Sequence, residues 1–370
     1  MSKVFSLLKK NKVTHIEGFA KLEKPKSDGM KQISVNGSDI ICAKNVIIST
    51  GAKARVLPGF EISDNVWSYR EALVPKLMPK SIVIVGSGAI GIEFASFYNA
   101  FGSDVTVLES MNRILPVEDI EISNMARKSF ESKGIKFKTG IKLIKQTSAN
   151  NKVTTSFELD GNLQNIESDV LLMAVGIVGN VENIGLENTK IIVENSHIVT
   201  NGLMQTAENG IYAIGDVAGA PWLAHKASHE GIIAADNIAG KKPHPIIKNN
   251  IPGCTYSNPQ IASVGLTEEA ALKAGYEIKI GRFPSYANAK SLILGNSEGL
   301  IKTIFDKKSG EILGAHMVGL DVTELIQGYV IAKQMEGTEI DLMNTIFPHP
   351  TLSEMMHESV LQAYGKQIHI

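Results

Sequence analysis

Cysteine is scarce in this sequence, and long apolar runs do not occur in it. Only two of the 370 residues are cysteines. Cys42 and Cys254 lie far apart and predict neither a disulfide framework nor a metal site. Each is most simply a small buried hydrophobe. No apolar run reaches the roughly 18 residues that a membrane-spanning helix needs, so we expect no membrane partner.

An excess of charge of one sign is also lacking. Lysine and arginine together number 37 and aspartate and glutamate 38, which leaves a net charge of −1. This balance argues against nucleic acid or an anionic membrane as a partner. The N-terminal apolar stretch is too short for a signal peptide, so we expect a cytoplasmic protein. A chain of this length favours two or three domains.

The stretch over residues 80–110 predicts a strand, a glycine-rich turn, a helix and a second strand. Residues 82–85 are an unbroken apolar, β-branched run, which is typical of a strand covered on both faces. In the turn, Gly86 permits the sharp bend, Gly88 lets a pyrophosphate approach the backbone, and Gly91 lets the helix pack closely on the strand. The unpaired N–H groups at the helix start favour phosphate.

Glu109 ends the second predicted strand, about 20 residues after the first glycine, where an acid that binds the adenosine ribose is expected. The combination predicts a dinucleotide site. The alternative is a glycine-rich turn in an unrelated α/β protein. Helical spacing further predicts one apolar helix face, made of Ile90, Phe94, Phe97 and Phe101.

Three other predicted strands end at residues that suit ligand contacts, since ligands bind at the carboxyl ends of parallel strands. Residues 45–48 lead to Ser49, Thr50 and Gly51, where backbone could approach a ligand. Asp216 follows the run 211–214 and could accept bonds from a polyol, although Gly-Asp is also common turn chemistry. Gly176 follows a buried strand, and a glycine needed only for the turn is the alternative. In the first segment, residues 13–19, 33–35 and 40–48 predict short strands.

The last unusual stretch surrounds His349, which Pro348 and Pro350 flank. Pro350 favours extended geometry at His349, so the imidazole sits on a stiff arm and suits a general base near neutral pH. Glu354 could bond the other ring nitrogen and fix the tautomer. A helix-capping box from Thr351 to Glu354 is the alternative, and one carboxylate has oxygens enough for both roles.

The histidine pair on the predicted helix after residue 222 raises the question of a metal. His225 and His229 lie four residues apart, but no third ligand is evident in the sequence, so we predict no metal site.

Four motifs occur in a characteristic order: Gly-Ser-Gly-Ala-Ile-Gly-Ile-Glu, Thr-x4-Ile-Tyr-Ala-Ile-Gly-Asp, Leu-Ala-His-Lys-Ala and His-Pro-Thr-Leu-Ser-Glu. Together they resemble the pyridine nucleotide-disulfide oxidoreductases, and most closely the branch that oxidises dihydrolipoamide. The resemblance implies FAD and NAD as cofactors and a homodimer. It also implies, as a partner, the lipoyl domain of a dihydrolipoyl acyltransferase in a 2-oxo acid dehydrogenase complex.

The resemblance also implies a fold. It is an α/β fold in which an NAD-binding Rossmann-type domain, residues 79–198, is inserted in an incomplete FAD-binding domain, residues 1–78 and 199–249. An α+β dimerisation domain, residues 250–370, follows.

The same resemblance assigns site residues. His349 resembles the family's acid-base residue and Glu354 its partner, and Glu93 resembles the acid near the nicotinamide and the flavin. The positions that match NAD contacts are Gly86, Ser87, Gly88, Ala89, Ile90, Gly91, Ile92, Glu93, Glu109 and Gly176. Those that match FAD contacts are Gly18, Ser49, Thr50, Gly51, Asp216, Trp222, Leu223, Ala224 and His225.

One departure from the family pattern is pronounced. Members begin with a flavin-binding Gly-x-Gly unit and a Cys-x4-Cys redox pair, and the 370 residues contain neither. The chain resembles the C-terminal four-fifths of such an enzyme, and we expect these residues alone to be inactive in dithiol oxidation. A glutathione-type or mercuric reductase is the enzymatic alternative, although those usually prefer NADP, which Glu109 disfavours. A non-catalytic NAD-binding dimer scaffold is the alternative from another class.

Overall fold

The computed structural model describes residues 2–370, and its first segment combines one helix with short strands. Its elements are α1, Ser2–Lys10; β1, Ala20–Glu23; β2, Lys31–Val35; β3, Asp39–Ala43; β4, Val46–Ile48; and β5, Ala52–Ala54. The second segment alternates strands and helices and then ends in a meander. Its elements are β6, Val66–Trp67; α2, Tyr69–Leu73; β7, Ser81–Val85; α3, Ala89–Ala100; β8, Asp104–Glu109; α4, Ile120–Ser132; β9, Lys136–Thr139; β10, Lys142–Ala149; β11, Lys152–Leu159; β12, Asn162–Ser168; and β13, Val170–Met173.

The third segment holds short strands and one long helix. Its elements are β14, Ile177–Gly179; β15, Val193–Glu194; β16, His197–Ile198; β17, Ile211–Ala213; and α5, Ala224–Ile238. The fourth is a sheet followed by helices. Its elements are β18, Gly253–Thr255; β19, Gln260–Gly265; α6, Glu268–Lys273; β20, Ile278–Pro284; α7, Ala289–Ile293; β21, Leu300–Asp306; β22, Ile312–Gly319; α8, Val322–Gln334; α9, Glu339–Asn344; and α10, Glu354–Ala363.

A five-stranded parallel sheet, in the order β6-β13-β7-β8-β9, carries the glycine-rich turn. Its central strand β7 is buried from Ile82 to Val85, as the apolar run predicted. Ile82 and Ile84 pack in one core with α3 and α4, whereas Val83 and Val85 pack with side chains of the β10–β12 meander. Helix α3 begins directly after the turn and leads into β8, which pairs in parallel with β7. The predicted strand, turn, helix and strand are therefore confirmed.

The apolar face predicted for α3 is wrong. Its buried residues are Gly91, Ile92, Ala95 and Tyr98, whereas Ile90, Phe97 and Phe101 are 37%, 41% and 63% exposed. The reason is that Gly91 must face the turn, since a Cβ there would collide with the carbonyl oxygen of Gly86. Residues four and seven positions after Gly91 share that face, so Ala95 and Tyr98 enter the core, and only Phe94 of the predicted set packs partly against it.

The fourth segment forms the α+β domain that the sequence predicted. Its antiparallel sheet has the order β18-β19-β22-β21-β20, and strand β22 is buried along its whole length. Side chains from α8 and α10 complete the apolar core of this sheet, among them Ile326, Tyr329, Met355 and Val360. Helix α10 begins at Glu354, five residues after His349, so the sheet and α10 position the stretch that carries the candidate base.

The strand predicted over residues 13–19 is also wrong. The chain enters a strand only at Ala20, which pairs with Val35 in the antiparallel sheet β1-β2-β3. Residues 13–19 are exposed, and their last backbone N–H, at Phe19, donates to the Asn36 side chain instead. Apolar residues alone therefore did not make a strand without a buried face to cover.

The chain divides into two compact units. One comprises residues 2–53 and 178–246, and the other comprises residues 54–177 and 247–370. In the first unit, β4 and β17 pair in parallel over a small core that includes Ile48, Ile211 and Ala213. Among residues 2–370, no helix is both long and apolar enough to cross a membrane. The domain boundaries at residues 78, 198 and 249 stay a prediction.

Candidate functional site

Two of the three glycines in the glycine-rich turn are packed against backbone atoms, and the third has free space beside it. Gly86 has a φ of +101°, and a Cβ there would collide with the carbonyl oxygen of Ala174. Gly91 lies against Gly86, as described. In contrast, a Cβ on Gly88 would meet nothing within 4 Å. Gly88 is the N-cap of α3 and makes no side-chain cap, and Ala89 and Ile90, the first residues of the helix, are exposed. No capping side chain therefore covers the start of the helix.

Glu109 lies beside this turn. It is only 7% exposed, and its Oε2 accepts hydrogen bonds from the Ser87 N–H at 2.8 Å and the Ser87 hydroxyl at 2.7 Å. Its Oε1 accepts from the Met111 N–H at 2.8 Å. A cavity of about 290 Å³ opens here, lined by Gly86, Ser87, Gly88, Glu109, Leu57, Ile141, Leu143 and others. The structure thus brings the predicted acid to the predicted turn, and Ser87 is the link that spacing did not reveal.

The other predicted positions of this stretch have different surroundings. Ile92 is fully buried in the core of the sheet, whereas Ile90 is exposed. Glu93 accepts a hydrogen bond from the Tyr256 N–H at 2.8 Å. Burial raises the pKa of Glu93, although the Tyr256 bond acts in the opposite direction. Gly176 has a φ of +98°, which favours glycine, and its carbonyl accepts from the Arg55 N–H at 3.0 Å.

In the first unit, Asp216 and the stretch from Ser49 to Gly51 follow the carboxyl ends of two paired strands. Strands β4 and β17 are parallel and pair up to Ile48 and Ala213, so the residues that follow each strand emerge at the same edge. Asp216 is half-buried in the 3-10 turn Gly215–Ala218. Thr50 donates its hydroxyl to the carbonyl of Asn180 at 2.8 Å, which fixes the turn at Gly51.

Helix α5 holds the Asp216 turn through a pair of charged residues that sequence reasoning missed. Glu230 accepts from the Gly215 N–H at 2.7 Å, and Lys226 bonds Glu230 at 2.8 Å and the Gly215 carbonyl at 3.4 Å. Both side chains are more than nine-tenths buried. The signal available in the sequence was their i, i+4 spacing, with Lys226 in the Leu-Ala-His-Lys-Ala motif and Glu230 three residues after its end.

The remaining predicted FAD positions lie at the start of α5, with one exception. Leu223 is the N-cap, and Ala224 and His225 open the helix. Trp222 donates its indole N–H to His197 at 3.1 Å and stacks on that ring. The exception is Gly18, where a Cβ would lie 2.6 Å from Val35. A close approach to the β2–β3 hairpin therefore accounts for that glycine.

His349 and Glu354 meet as expected. Nδ1 of His349 lies 2.9 Å from Glu354 Oε1, and Oε2 of the same carboxylate accepts from the Thr351 N–H at 2.9 Å. The Thr351 hydroxyl donates to Pro348 rather than capping α10, so only half of the alternative capping box forms. Burial alone would raise the pKa of Glu354, but the bonds from Thr351 and His349 hold it below its usual value.

Comparison with known proteins adds the family. Residues 1–231 match the model of the pyridine nucleotide-disulphide oxidoreductases, and residues 251–360 match the dimerisation domain of the same family. The chain belongs to this family. The chain is 50% identical over 376 residues to a dihydrolipoyl dehydrogenase of Rhizobium etli, covering 97% of this chain and 78% of that one. Against the Bacillus subtilis dihydrolipoyl dehydrogenase the identity is 44%, with 98% and 79% covered.

Solved structures of the family agree. LpdA of Mycobacterium tuberculosis superposes with a TM-score of 0.90 at 25% identity, covering 97% of this chain and 79% of that one. The flavoprotein disulfide reductase RclA of Escherichia coli gives 0.88 at 26% identity, with 97% and 82% covered. The expected fold is confirmed. The chain is thus an oxidoreductase of the NAD-dependent dihydrolipoyl dehydrogenase type, a group that uses FAD and NAD.

Substituting Gly88 separates ligand approach from folding. Because a Cβ at Gly88 meets no protein atom, Gly88→Ala should lower the free energy of unfolding by no more than about 1 kcal/mol, the cost of a poorer N-cap residue. The same methyl would occupy the space in front of the α3 N-terminus, so NAD affinity in calorimetric titration should fall at least about tenfold. Gly91→Ala is the matched control and should destabilise the fold. Unchanged NAD affinity in Gly88→Ala would show that no phosphate approaches here.

The depressed pKa of Glu354 predicts a pH-dependent stability term. Ionised Glu354 stabilises the fold above its unfolded pKa of roughly 4.3, and this contribution is lost as pH falls through the lower folded pKa. Glu354→Gln should therefore lower the free energy of unfolding by about 1 kcal/mol at pH 7, and urea unfolding should show the difference vanishing towards pH 3.

The control for this measurement is Glu269→Gln. Glu269 also lies in the first turn of a helix, α6, but it is exposed. The free energy of unfolding of Glu269→Gln should therefore differ little from that of the parent at every pH. A Glu354→Gln difference that stayed constant from pH 7 to pH 3 would contradict the assignment.

Proposed function

We propose that the glycine-rich turn and Glu109 bind NAD. The carrying observation is the open space at Gly88, directly in front of the α3 N-terminus and beside the buried Glu109 carboxylate. The N–H groups of a helix start favour the pyrophosphate. Glu109 already accepts bonds from Ser87 and Met111, so a ribose hydroxyl would replace the longer bond of 3.2 Å that the Ser110 hydroxyl makes to Oε1. A 2′-phosphate would meet a buried negative charge, which favours NAD over NADP.

The edge formed by Ser49, Thr50, Gly51 and Asp216 would hold the ribityl part of FAD. The half-buried Asp216 carboxylate can accept bonds from the hydroxyls of a polyol, and the N-terminus of α5 from Trp222 to His225 flanks the Asp216 turn. Gly18 is the weakest member of this assignment, since hairpin packing already explains it. When bound, FAD supplies a two-electron relay between a dithiol and NAD.

His349 would act as the acid-base residue for dihydrolipoamide. Its Nδ1 is engaged by Glu354, which places the ring proton there and leaves Nε2 as the nitrogen that takes a thiol proton. Glu354 also stabilises the imidazolium that forms. Glu93 would lie near the nicotinamide, with its carboxylate held by the Tyr256 N–H.

Partners and compartment follow from the family and from the sequence. The match of residues 251–360 to a dimerisation domain supports a homodimer. We further propose that the enzyme works in the cytoplasm on the lipoyl domain of a dihydrolipoyl acyltransferase, within a 2-oxo acid dehydrogenase complex. Similarity to dihydrolipoyl dehydrogenases of 44–50% identity supports this substrate.

The second candidate is a disulfide reductase of another substrate class. The likeness to RclA favours it, but the identity is lower than to the dihydrolipoyl dehydrogenases. A scaffold that binds NAD without catalysis is supported only by the lack of a Cys-x4-Cys pair in the 370 residues. The buried Glu109, which disfavours NADP, and the His349–Glu354 contact both favour the dehydrogenase.

Measuring the affinities for NAD and NADP tests the role proposed for Glu109. Glu109→Ala removes the carboxylate that accepts ribose hydroxyls and repels a 2′-phosphate. Binding of NAD should weaken about tenfold and the NAD-to-NADP preference should shrink, as measured by calorimetric titration of both cofactors. Glu131→Ala, an exposed carboxylate on the neighbouring helix α4, is the control and should change neither affinity. Tighter binding of NADP than of NAD by the parent chain would overturn the assignment.

A further inference from the structure

Lys302 is a fully buried lysine surrounded by carboxylates. It lies on β21 with 0% of its side chain exposed. Its Nζ is 2.9 and 3.0 Å from the two Asp119 oxygens, 2.8 Å from Glu121 and 2.6 Å from Glu268. Arg282, on the adjacent strand β20, bonds Glu121 at 2.9 Å. Burial alone would lower the pKa of Lys302, but the three carboxylates raise it, so the ammonium stays charged.

Two of these carboxylates belong to the NAD-binding region and not to the sheet that carries Lys302. Asp119 is the N-cap of α4 and accepts from the Glu121 N–H at 3.0 Å. It lies 183 residues before Lys302 in the chain, within the same compact unit. The cluster therefore ties the start of α4 to the antiparallel sheet.

The segment that ends at Asp119 begins at Glu109. We call residues 110–118 the connecting loop. The loop's Leu115 N–H donates to the Ser87 carbonyl at 2.9 Å, and Ile114 and Leu115 are buried. The middle of the loop is also bonded to α4, because the Ser123 hydroxyl donates to the Ile114 carbonyl at 2.6 Å, and the loop ends at Asp119 of the Lys302 cluster. The connecting loop is thus fixed at the glycine-rich turn on one side and at the Lys302 cluster on the other.

A contribution to the stability of the fold does not by itself explain why a charged cluster is buried here. Replacing a buried ion pair by packed apolar groups is often neutral or stabilising, since burying the charges costs about as much as their attraction returns. A cluster of this kind does fix geometry, because the lysine has three donors and each has a carboxylate acceptor at a set distance. Because the connecting loop starts after Glu109 and bonds Ser87, the cluster should affect the positions of Ser87 and Glu109.

We propose that Lys302 is a positioning residue for NAD recognition. By holding Asp119 and Glu121 it fixes the connecting loop, and the loop holds Ser87 through Leu115 and so sets the geometry between the glycine-rich turn and Glu109. This inference rests on the NAD site proposed above. It adds a residue of the antiparallel sheet, with no place in the dinucleotide fingerprint, to the determinants of NAD affinity.

The test compares Lys302→Met with Lys136→Met. Lys136 also forms an ion pair, with Asp104 at 2.8 Å, but on the exposed surface of the parallel sheet. In calorimetric titrations of the folded 370-residue chain, Lys302→Met should weaken NAD binding about 3- to 30-fold and reduce the preference over NADP. Amide exchange in the connecting loop should quicken. Lys136→Met should leave all three quantities unchanged.

The outcomes separate this inference from the NAD site itself. If Glu109→Ala weakens NAD binding while folded Lys302→Met binds NAD within twofold of the parent, the positioning role is overturned and the site stands. If neither variant changes NAD affinity, the site itself is overturned, and the positioning role with it. Should Lys302→Met fail to fold, Asp119→Asn decides. It keeps the helix cap but loses the charge, so it should weaken NAD binding, and unchanged affinity overturns the role.

Discussion

The contact between Gly91 and the carbonyl of Gly86 governs the geometry of the whole NAD-binding region. No side chain fits between them, so helix α3 lies directly on the turn that starts it. That contact sets which face of α3 enters the core, and it aims the helix N-terminus at the open space in front of Gly88. The neighbouring Ser87 then reaches Glu109. A single close approach of backbone to backbone thus brings together the dipole end and the acid.

Carboxylates that bond two partners at once recur at each candidate site. Glu109 bonds Ser87 and Met111, Glu230 bonds Gly215 and Lys226, and Glu354 bonds His349 and Thr351. In each case one hydrogen bond of the carboxylate holds a nearby backbone N–H group. The carboxylate itself, or the side chain that it bonds, lies in or next to the stretch that would contact the cofactor or substrate. A carboxylate with two such bonds has little freedom to rotate, and its neighbour is held with it.

Sequence patterns predicted the structural features that depend on residues close together in the chain. The strand, turn, helix and strand around Gly86 and the contact of His349 with Glu354 depend on neighbours within a few turns, and both were predictable. The buried face of α3 was not predictable in this way, because the helical spacing of Ile90 and the three phenylalanines takes no account of Gly91, which must face the turn. The partners of Lys302 could not be predicted either. They join residues 183 positions apart, and no periodicity carries that information.

The most direct test concerns the separation of NAD binding from dithiol oxidation. Oxidising dihydrolipoamide requires a thiolate to attack a disulfide and form a mixed disulfide. The 370 residues hold only Cys42 and Cys254, which are both free thiols. Purified residues 1–370 should therefore bind NAD in calorimetric titration yet show no dihydrolipoamide-dependent NAD reduction, even with added FAD. Robust turnover by these residues alone, or no binding of NAD, would contradict the account.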